Sequence, residues 1–490
     1  MEKTTLQQYE VTTAELLRAG RWSAAQARAV EGLMHFPAGA QLWVYLGESL
    51  EHLGQRGPAR TAYDRAWMLD PAAAWVPATW ARLQHVAPTV PDWLERVLAV
   101  PAVTVTAALI ARDEEDTIGT AVARLIPAVD EVLVVDTGST DATVARAREA
   151  GARVVAYEWT DDFSAARNFG LEQVRTDWVL WVDADEWLFP EDVAVPRVVA
   201  GLFHAADPPP ILRIVQMNRI GSVVDPNYDS SRMFRVGQGF RWVGRIHEQI
   251  APPSAGASLI PWPRPVVRIR VDHAGYDPAV VQRKGKWDRN IRLLRQAVAE
   301  APHDVVPLGF LGRDLFLAGH TEEAVEVLRQ AETLAVATPG YGRLAELRQV
   351  LAEALWRLGR LDEALAVTER QTTDAPTFPG GWYLRAQLQL AQAVTLLDAA
   401  AEGFQTALQH APTYRGVVSF DSQIATWKAL VGLADVAKLK GRWDEALRLY
   451  EQARTVVPDN AAISQQIRYL QTQAAWVHDH VTSQRLGTAR

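Results

Sequence analysis

The 490-residue chain contains no cysteine. Disulfides, thiolate metal sites and a cysteine nucleophile are therefore excluded. Basic charge is not in surplus either: 50 Lys and Arg stand against 58 Asp and Glu, a formal net charge of −8. A chain that grips nucleic acid by its phosphates usually carries a basic face, so no nucleic-acid partner is expected. No apolar run approaches the ~18 residues that suggest a membrane span. The first thirty residues also lack the basic start and apolar core of a secretory signal. The expectation is a cytoplasmic protein. What remains is ordinary: 48% hydrophobic and 22% charged residues, the balance of a globular chain with room for several domains.

Internal repeats come next. Trp43, Leu46, Gly47, Leu50, Ala59, Tyr63, Ala66 and Pro71 follow the spacing of a tetratricopeptide repeat, a helix–turn–helix unit of about 34 residues. The pattern returns near the C-terminus. One unit runs through Leu311, Gly312, Gly319, Ala324 and Leu328, and a second through Leu351, Ala352, Gly359, Ala364 and Pro376. A third, two residues longer, carries Trp382, Ala400, Phe404, Ala407 and Pro412; a fourth carries Leu433, Ala434, Gly441, Ala446, Tyr450 and Pro458. In four units a small residue precedes a proline by twelve positions: Ala59–Pro71, Ala364–Pro376, Ala400–Pro412 and Ala446–Pro458. The small residue suits a close helix crossing, and the proline ends the second helix. Ser23–Phe36 reads as a further helix, and 461–476 as a capping helix.

The middle of the chain has another rhythm. Val103–Leu109, Glu131–Asp136, Arg153–Tyr157 and Trp178–Val182 read as strands, with helices at Ala142–Ala150 and Ser164–Val174. Alternation at this spacing predicts a parallel α/β sheet, which binds ligands beyond the carboxyl ends of its strands. Polar clusters fall there: Arg112-Asp113-Glu114, Asp136 with Gly138-Ser139-Thr140-Asp141, and Asp183-Ala184-Asp185. Two carboxylates at i and i+2 on a turning strand end supply hard oxygen ligands for Mg²⁺ or Mn²⁺ on a diphosphate; the plainer reading is a solvated turn. Asp136 can accept from a base imide or a ribose hydroxyl, since Thr140 and Asp141 are the better helix caps. His247-Glu248 closes an apolar run and reads equally as structural or functional. Residues 283–300 read as an amphipathic bridging helix.

ALIARDEED, VLVVDTGSTD, DDFSAARNFGL, WVLWVDADEWL and FRWVGRIHEQI, in that order over about residues 102–275, resemble a family 2 glycosyltransferase of the GT-A fold. Within the family they are most similar to the bacterial branch that includes the sublancin S-glycosyltransferase and related peptide glycosyltransferases. That branch commonly continues into tetratricopeptide-like helices through a segment such as 272–294. The resemblance implies domains at 1–100 (repeats), 101–277 (transferase), 278–301 (linker helix) and 302–490 (repeats). It implies that Asp136 binds the base, that Ala111, Arg112 and Glu114 border the nucleotide, and that Arg167 and Asn168 lie near the donor. Asp183 and Ala184 would touch the donor, Asp185 would ligate a divalent metal, and Asp183 and His247 would be further ligands. Two departures stand out: Asp113 replaces a common Asn, and the Glu-Asp pair that often supplies the base has no clear counterpart. Glu248, beside His247, is the candidate base.

The implied reaction is inverting, metal-dependent transfer from a nucleotide sugar of the UDP-glucose or UDP-N-acetylglucosamine class. The acceptor would be a Cys, Ser or Thr side chain of a peptide or protein. Alternatives are a lipid or polysaccharide acceptor, or a repeat scaffold around an inactive core. The tryptophans at 43, 382 and 427 are expected to pack their repeats, bind the acceptor or mediate dimerisation.

Overall fold

The computed structural model describes residues 4–220, 223–253, 262–273, 286–411 and 421–487. It divides into two compact units, 1–342 and 343–490. The first unit therefore holds more than the expected transferase domain. It keeps the N-terminal helices and the first C-terminal helix pair.

The first unit opens with α1 (Leu6–Arg18), α2 (Trp22–His35), α3 (Ala40–His52) and α4 (Arg56–Leu69), followed by α5 (Val76–Leu83) and α6 (Asp92–Leu98). A capping box starts α1: the Gln8 amide donates to Thr5 Oγ1, and the Thr5 amide to Gln8 Oε1. The α3–α4 pair shows how this chain closes a repeat. Gly54 between them sits at φ 77°, a left-handed turn that costs glycine little. The chain folds back, and the Tyr63 ring lies where a Gly47 side chain would be. Trp43 is fully buried, its indole N–H donating to the Pro37 carbonyl at 2.8 Å.

The central sheet runs in the order β3-β2-β1-β4-β7-β6-β10-β5. Its strands are β1 (Val105–Ala111), β2 (Glu131–Asp136), β3 (Arg153–Ala156), β4 (Trp178–Trp181), β5 (Glu186–Leu188), β6 (Ile211–Ile220), β7 (Val223–Arg235) and β10 (Val266–His273). A separate hairpin pairs β8 (Arg241–Val243) with β9 (Gln249–Ala251). Strands β1 to β4 are mutually parallel; β7 enters antiparallel between β4 and β6. Both faces of β1, β2 and β4 are covered, which is why those strands read as unbroken apolar runs. Helices α7 (Ile118–Leu125), α8 (Thr143–Glu149), α9 (Phe163–Gln173) and α10 (Val195–Phe203) supply the cover.

Arg268 of β10 ties the N-terminal helices to this sheet. It donates to Asp64 of α4 at 2.7 Å, lies 3.2 Å from the buried Asp192 carboxylate, and stacks on Trp67. The unit continues through α11 (Lys286–Glu300), α12 (Val305–Leu317) and α13 (Thr321–Ala337). The expected 277/278 boundary lies outside the described residues.

The second unit contains α14 (Leu344–Arg357), α15 (Leu361–Asp374), α16 (Pro379–His410), α17 (Lys428–Leu439), α18 (Trp443–Val456) and α19 (Ala461–Gly487). Its first and last pairs close as α3–α4 does, through Gly359 (φ 73°) and Gly441 (φ 75°). The third expected repeat does not. Residues 379–410 form one continuous 32-residue helix instead of a hairpin. Counting eleven positions on from Trp43, Leu430 and Trp382 reaches Gly54, Gly441 and Ala393. Alanine is the strongest helix former and has no ease in the left-handed turn. Pro412 lies outside the described residues.

Candidate functional site

The turn after β1 is joined to the turn after β2. Asp113, at φ 52°, accepts the Thr140 amide at 2.8 Å, and its own amide donates to Ser139 Oγ at 3.0 Å. The Glu114 amide donates to Thr143 Oγ1 at 2.7 Å. Ala111 is buried and its carbonyl accepts the Thr137 amide at 3.0 Å. Arg112 is exposed at this rim, 4.0 Å from the Asp113 carboxylate. Asp136 ends β2 and is buried, but it is not left over by the capping groups as the sequence suggests. Its carboxylate accepts the amides of Gly138 (3.3 Å) and Ser139 (3.2 Å) and closes its own turn. Asp141 does serve the start of α8, accepting the Thr143 amide at 2.9 Å.

The charged centre lies at the end of β4. Arg167 of α9 is buried between the Trp181 and Trp242 rings, 5.2 and 4.7 Å from their centroids. Its Nε donates to Glu248 at 2.6 Å and one Nη to Asp183 at 2.9 Å. Its other Nη is buried with no hydrogen-bond partner among the described residues. Arg232 of β7 donates to the second Asp183 oxygen at 2.6 Å and lies 3.9 Å from Glu186. Glu186 is fully buried and accepts the Asp183 amide at 2.9 Å. Burial works against ionising Asp183, but Arg232 and Arg167 outweigh it and hold this carboxyl well below the usual range. Burial and the Asp183 charge push Glu186 upward. Two guanidiniums thus serve three carboxylates.

Asp185 faces a different partner. His273, the last residue of β10, brings Nε2 to 3.9 Å from its carboxylate. The other ring nitrogen, Nδ1, is 2.9 Å from Asn218 Oδ1 of β6. An amide oxygen can only accept, so Nδ1 donates to it and Nε2 is turned to the Asp185 side.

The remaining expectations need correction. His247, at φ 52°, turns to helix α12: its Nε2 meets the buried Asp314 at 2.8 Å, and its ring stacks on Phe310 at 4.5 Å. Asp314 is thereby held below the usual carboxylate range despite its burial. Asp183, Asp185 and His247 do not converge; no group of three such ligands occurs among the described residues. Asn168 is occupied with backbone, donating to the Trp242 carbonyl and accepting its amide, each at 2.9 Å. Ala184 is buried between the two aspartates. The structure brings Arg167, Asp183 and Glu248 together and sets Arg232, Glu186 and His273 beside the two aspartates. Only His273 left a trace in the sequence, as a polar residue closing an apolar strand.

The sheet order and the acidic ends of its parallel strands define a GT-A-like α/β domain carried with helical repeats. Residues 106–205 match the glycosyl transferase family 2 profile and 429–461 the tetratricopeptide repeat profile. A TPR repeat-containing protein of Synechococcus elongatus is 32% identical over 265 residues, 52% of this chain and 63% of that one. The SPbeta prophage-derived glycosyltransferase SunS of Bacillus subtilis is 28% identical over 239 residues, 46% of this chain and 53% of that one. The chain therefore spans between half and two thirds of these relatives. A solved glucosyl-3-phosphoglycerate synthase from Mycobacterium tuberculosis, in complex with Mg²⁺ and uridine diphosphate, is 28% identical over 25% of this chain and 46% of its own, with a TM-score of 0.21. No described helix is long and apolar enough to cross a membrane.

Proposed function

We propose that this protein transfers a sugar, with inversion, from a UDP-linked donor to a side chain of a peptide or protein, with a divalent cation on the donor diphosphate. The observation that carries this reading is the Asp185–His273 pair, 3.9 Å apart where β5 begins and β10 ends. An imidazole nitrogen and a carboxylate that face each other across 3.9 Å can hold a cation between them. Mg²⁺ typically takes one or two protein ligands and fills its shell with phosphate oxygens and water. Two ligands are what this site offers, and the Asn218 contact fixes the ring as an outer-shell partner should. When bound, the cation would neutralise charge on the departing diphosphate.

The chain's own residues do the rest. Asp136 and the joined turns after β1 and β2 border the nucleoside. Arg167, with one buried Nη unmatched by any described partner, supplies a donor for the diphosphate. Arg232 keeps Asp183 ionised and in place. Glu248 is the carboxylate we assign to receive the acceptor proton; it is held by Arg167 at 2.6 Å, so that contact must loosen in the ternary complex. The peptide acceptor rests on the repeats, whose stacked helix pairs form extended surfaces suited to flexible chains. We place the catalytic unit at 1–342, because α12 holds His247 and a cut at 302 would remove its partner.

The full chain, incubated with Mn²⁺, several UDP-sugars and candidate Cys-, Ser- and Thr-containing peptides, should give a peptide one hexose heavier by intact mass. Transfer to lipid or polysaccharide with every peptide untouched would overturn the acceptor assignment.

A further inference from the structure

Glu248, the carboxylate proposed to receive the acceptor proton, closes the loop between β8 and β9. Its neighbour His247 has a backbone that side chains rarely adopt, φ 52°, and such a residue persists only where its surroundings fix it. Those surroundings come from helices that the sequence pattern gives to the linker and the repeats. His247 Nε2 lies 2.8 Å from the Asp314 carboxylate of α12, and its ring stacks on Phe310 of the same helix. Two residues earlier, Arg245 Nε donates to Glu300 of α11 at 2.9 Å. On its other side the loop meets α9: the Arg245 carbonyl accepts the Phe163 amide at 2.9 Å, and Glu248 accepts from Arg167.

Asp314 is out of place in a repeat. It stands five positions before Gly319, which turns α12 into α13 at φ 93°. Five positions before Gly54, Gly359 and Gly441 the chain carries Ser49, Ala354 and Val436. All three are buried, as a close helix crossing requires. Asp314 is just as buried, at 0% exposure, and a carboxylate there costs free energy unless it is partnered. Both of its oxygens are. One meets His247 and accepts the Asn290 side-chain amide of α11 at 3.3 Å; the other accepts from Arg313 at 2.9 Å. Packing of the helix pair needs no such group, since small or apolar side chains serve at the same position in the other repeats. What the carboxylate adds is its hold on His247.

We infer that Asp314 is a positioning residue: by holding the His247 ring it fixes the left-handed turn, and with it the point from which Glu248 enters the site. The inference rests on the reading of Glu248 as the group that receives the acceptor proton. Residues 247 and 248 share a peptide bond, so a tethered ring at one sets the backbone of the other. The Glu248 carboxylate itself stays free to leave Arg167 when the acceptor arrives. Misplacing a reacting group by about 1 Å can cost roughly a hundredfold in rate, and that is the scale of what Asp314 protects. The helix pair α12–α13, a repeat by its sequence, thereby becomes part of the transferase centre.

Two measurements on the full-length protein test this. Hydrogen exchange read by mass spectrometry needs no acceptor. Asp314→Ala places in α12 the residue that α14 already carries at Ala354, so the helix pair should keep its packing. Exchange across 244–249 should nevertheless rise at least about tenfold, with β1, β2 and β4 unchanged. The second measurement is a double-mutant cycle on peptide transfer. Asp314→Ala alone should lower kcat roughly a hundredfold, and the Kd for UDP should stay within about twofold. Asp314→Asn should recover at least about tenfold of that loss, because its amide oxygen still accepts from His247 and the partly exposed Arg313 can turn to water. With Glu248→Gln already in place, Asp314→Ala should cost less than about threefold more. Unchanged exchange across 244–249 in Asp314→Ala overturns the proposal whatever the activity. So does a kcat loss of equal size with and without Glu248→Gln, since Asp314 would then act elsewhere. Full transfer by Asp314→Ala, with Glu248→Gln inactive, overturns the positioning role and leaves the base assignment standing. Full transfer by Glu248→Gln overturns the base assignment, and the positioning role falls with it.

Discussion

Asp185→Ala should lower the turnover of sugar transfer by roughly a hundred- to a thousandfold, the range seen when one preorganised stabiliser of a developing charge is removed. β4 is apolar on both faces, so its end is rigidly placed, and Asp185 follows two residues beyond Asp183. Asp183 is already committed to two guanidiniums. Asp185 is not, and its neighbour is an imidazole nitrogen. The substitution removes half of the proposed cation site and leaves the folded core alone, since Asp185 is only partly buried. The matching change at His273 should weaken Mn²⁺ dependence without altering the nucleoside contacts. Stopped assays of UDP release at saturating donor, across a Mn²⁺ series, check both. A loss confined to the Michaelis constant for the acceptor would contradict the assignment.

Arg232→Met should destabilise the fold by about 3 kcal/mol, at the low end of the cost of breaking a buried ion pair. The arginine shares its charge between Asp183 and Glu186. Without it, Asp183 keeps Arg167, but the fully buried Glu186 faces a carboxylate with no guanidinium of its own. The low end applies because 36% of the Asp183 side chain remains in water. The pH dependence has a definite sign. Asp183 is held low in the native state, so its pairing favours folding above the ordinary carboxylate range and is lost as pH falls through it. Glu186 is held high, so it favours the fold while protonated, and that contribution fades as pH rises. Losing Arg232 weakens the first effect and strengthens the second. The deficit of the variant should therefore be largest near neutrality and shrink below about pH 4. Urea unfolding at both pH values measures it.

How far the sequence carries differs between parts of the molecule. Strands β1, β2 and β4 are legible because burial on both faces leaves apolar runs, and their ends are legible because polar turns interrupt those runs. Arg167 and Glu248 stand out separately, but not as a pair. They are 81 positions apart, and nothing local in either segment announces the other. Arg232 lies in a polar stretch of β7 with no pattern to single it out. The neighbours of His247 point it towards the metal. Its partner, Asp314, sits 67 residues on, in a helix assigned by its repeat pattern to a different domain. The straight α16 is readable from the sequence at one position: Ala393 stands where the other repeats carry the glycine their turns need. The tryptophan, alanines and proline of the repeat pattern draw attention away from it.

The central question is whether the strand ends hold a nucleotide through a cation. Titration calorimetry of the full-length protein with UDP, with and without Mn²⁺, measures that directly. The prediction is saturable binding with Mn²⁺, far weaker binding when the cation is chelated, and loss of the difference in Asp185→Ala. UDP binding of equal strength with and without Mn²⁺, or unchanged in Asp185→Ala, would contradict it.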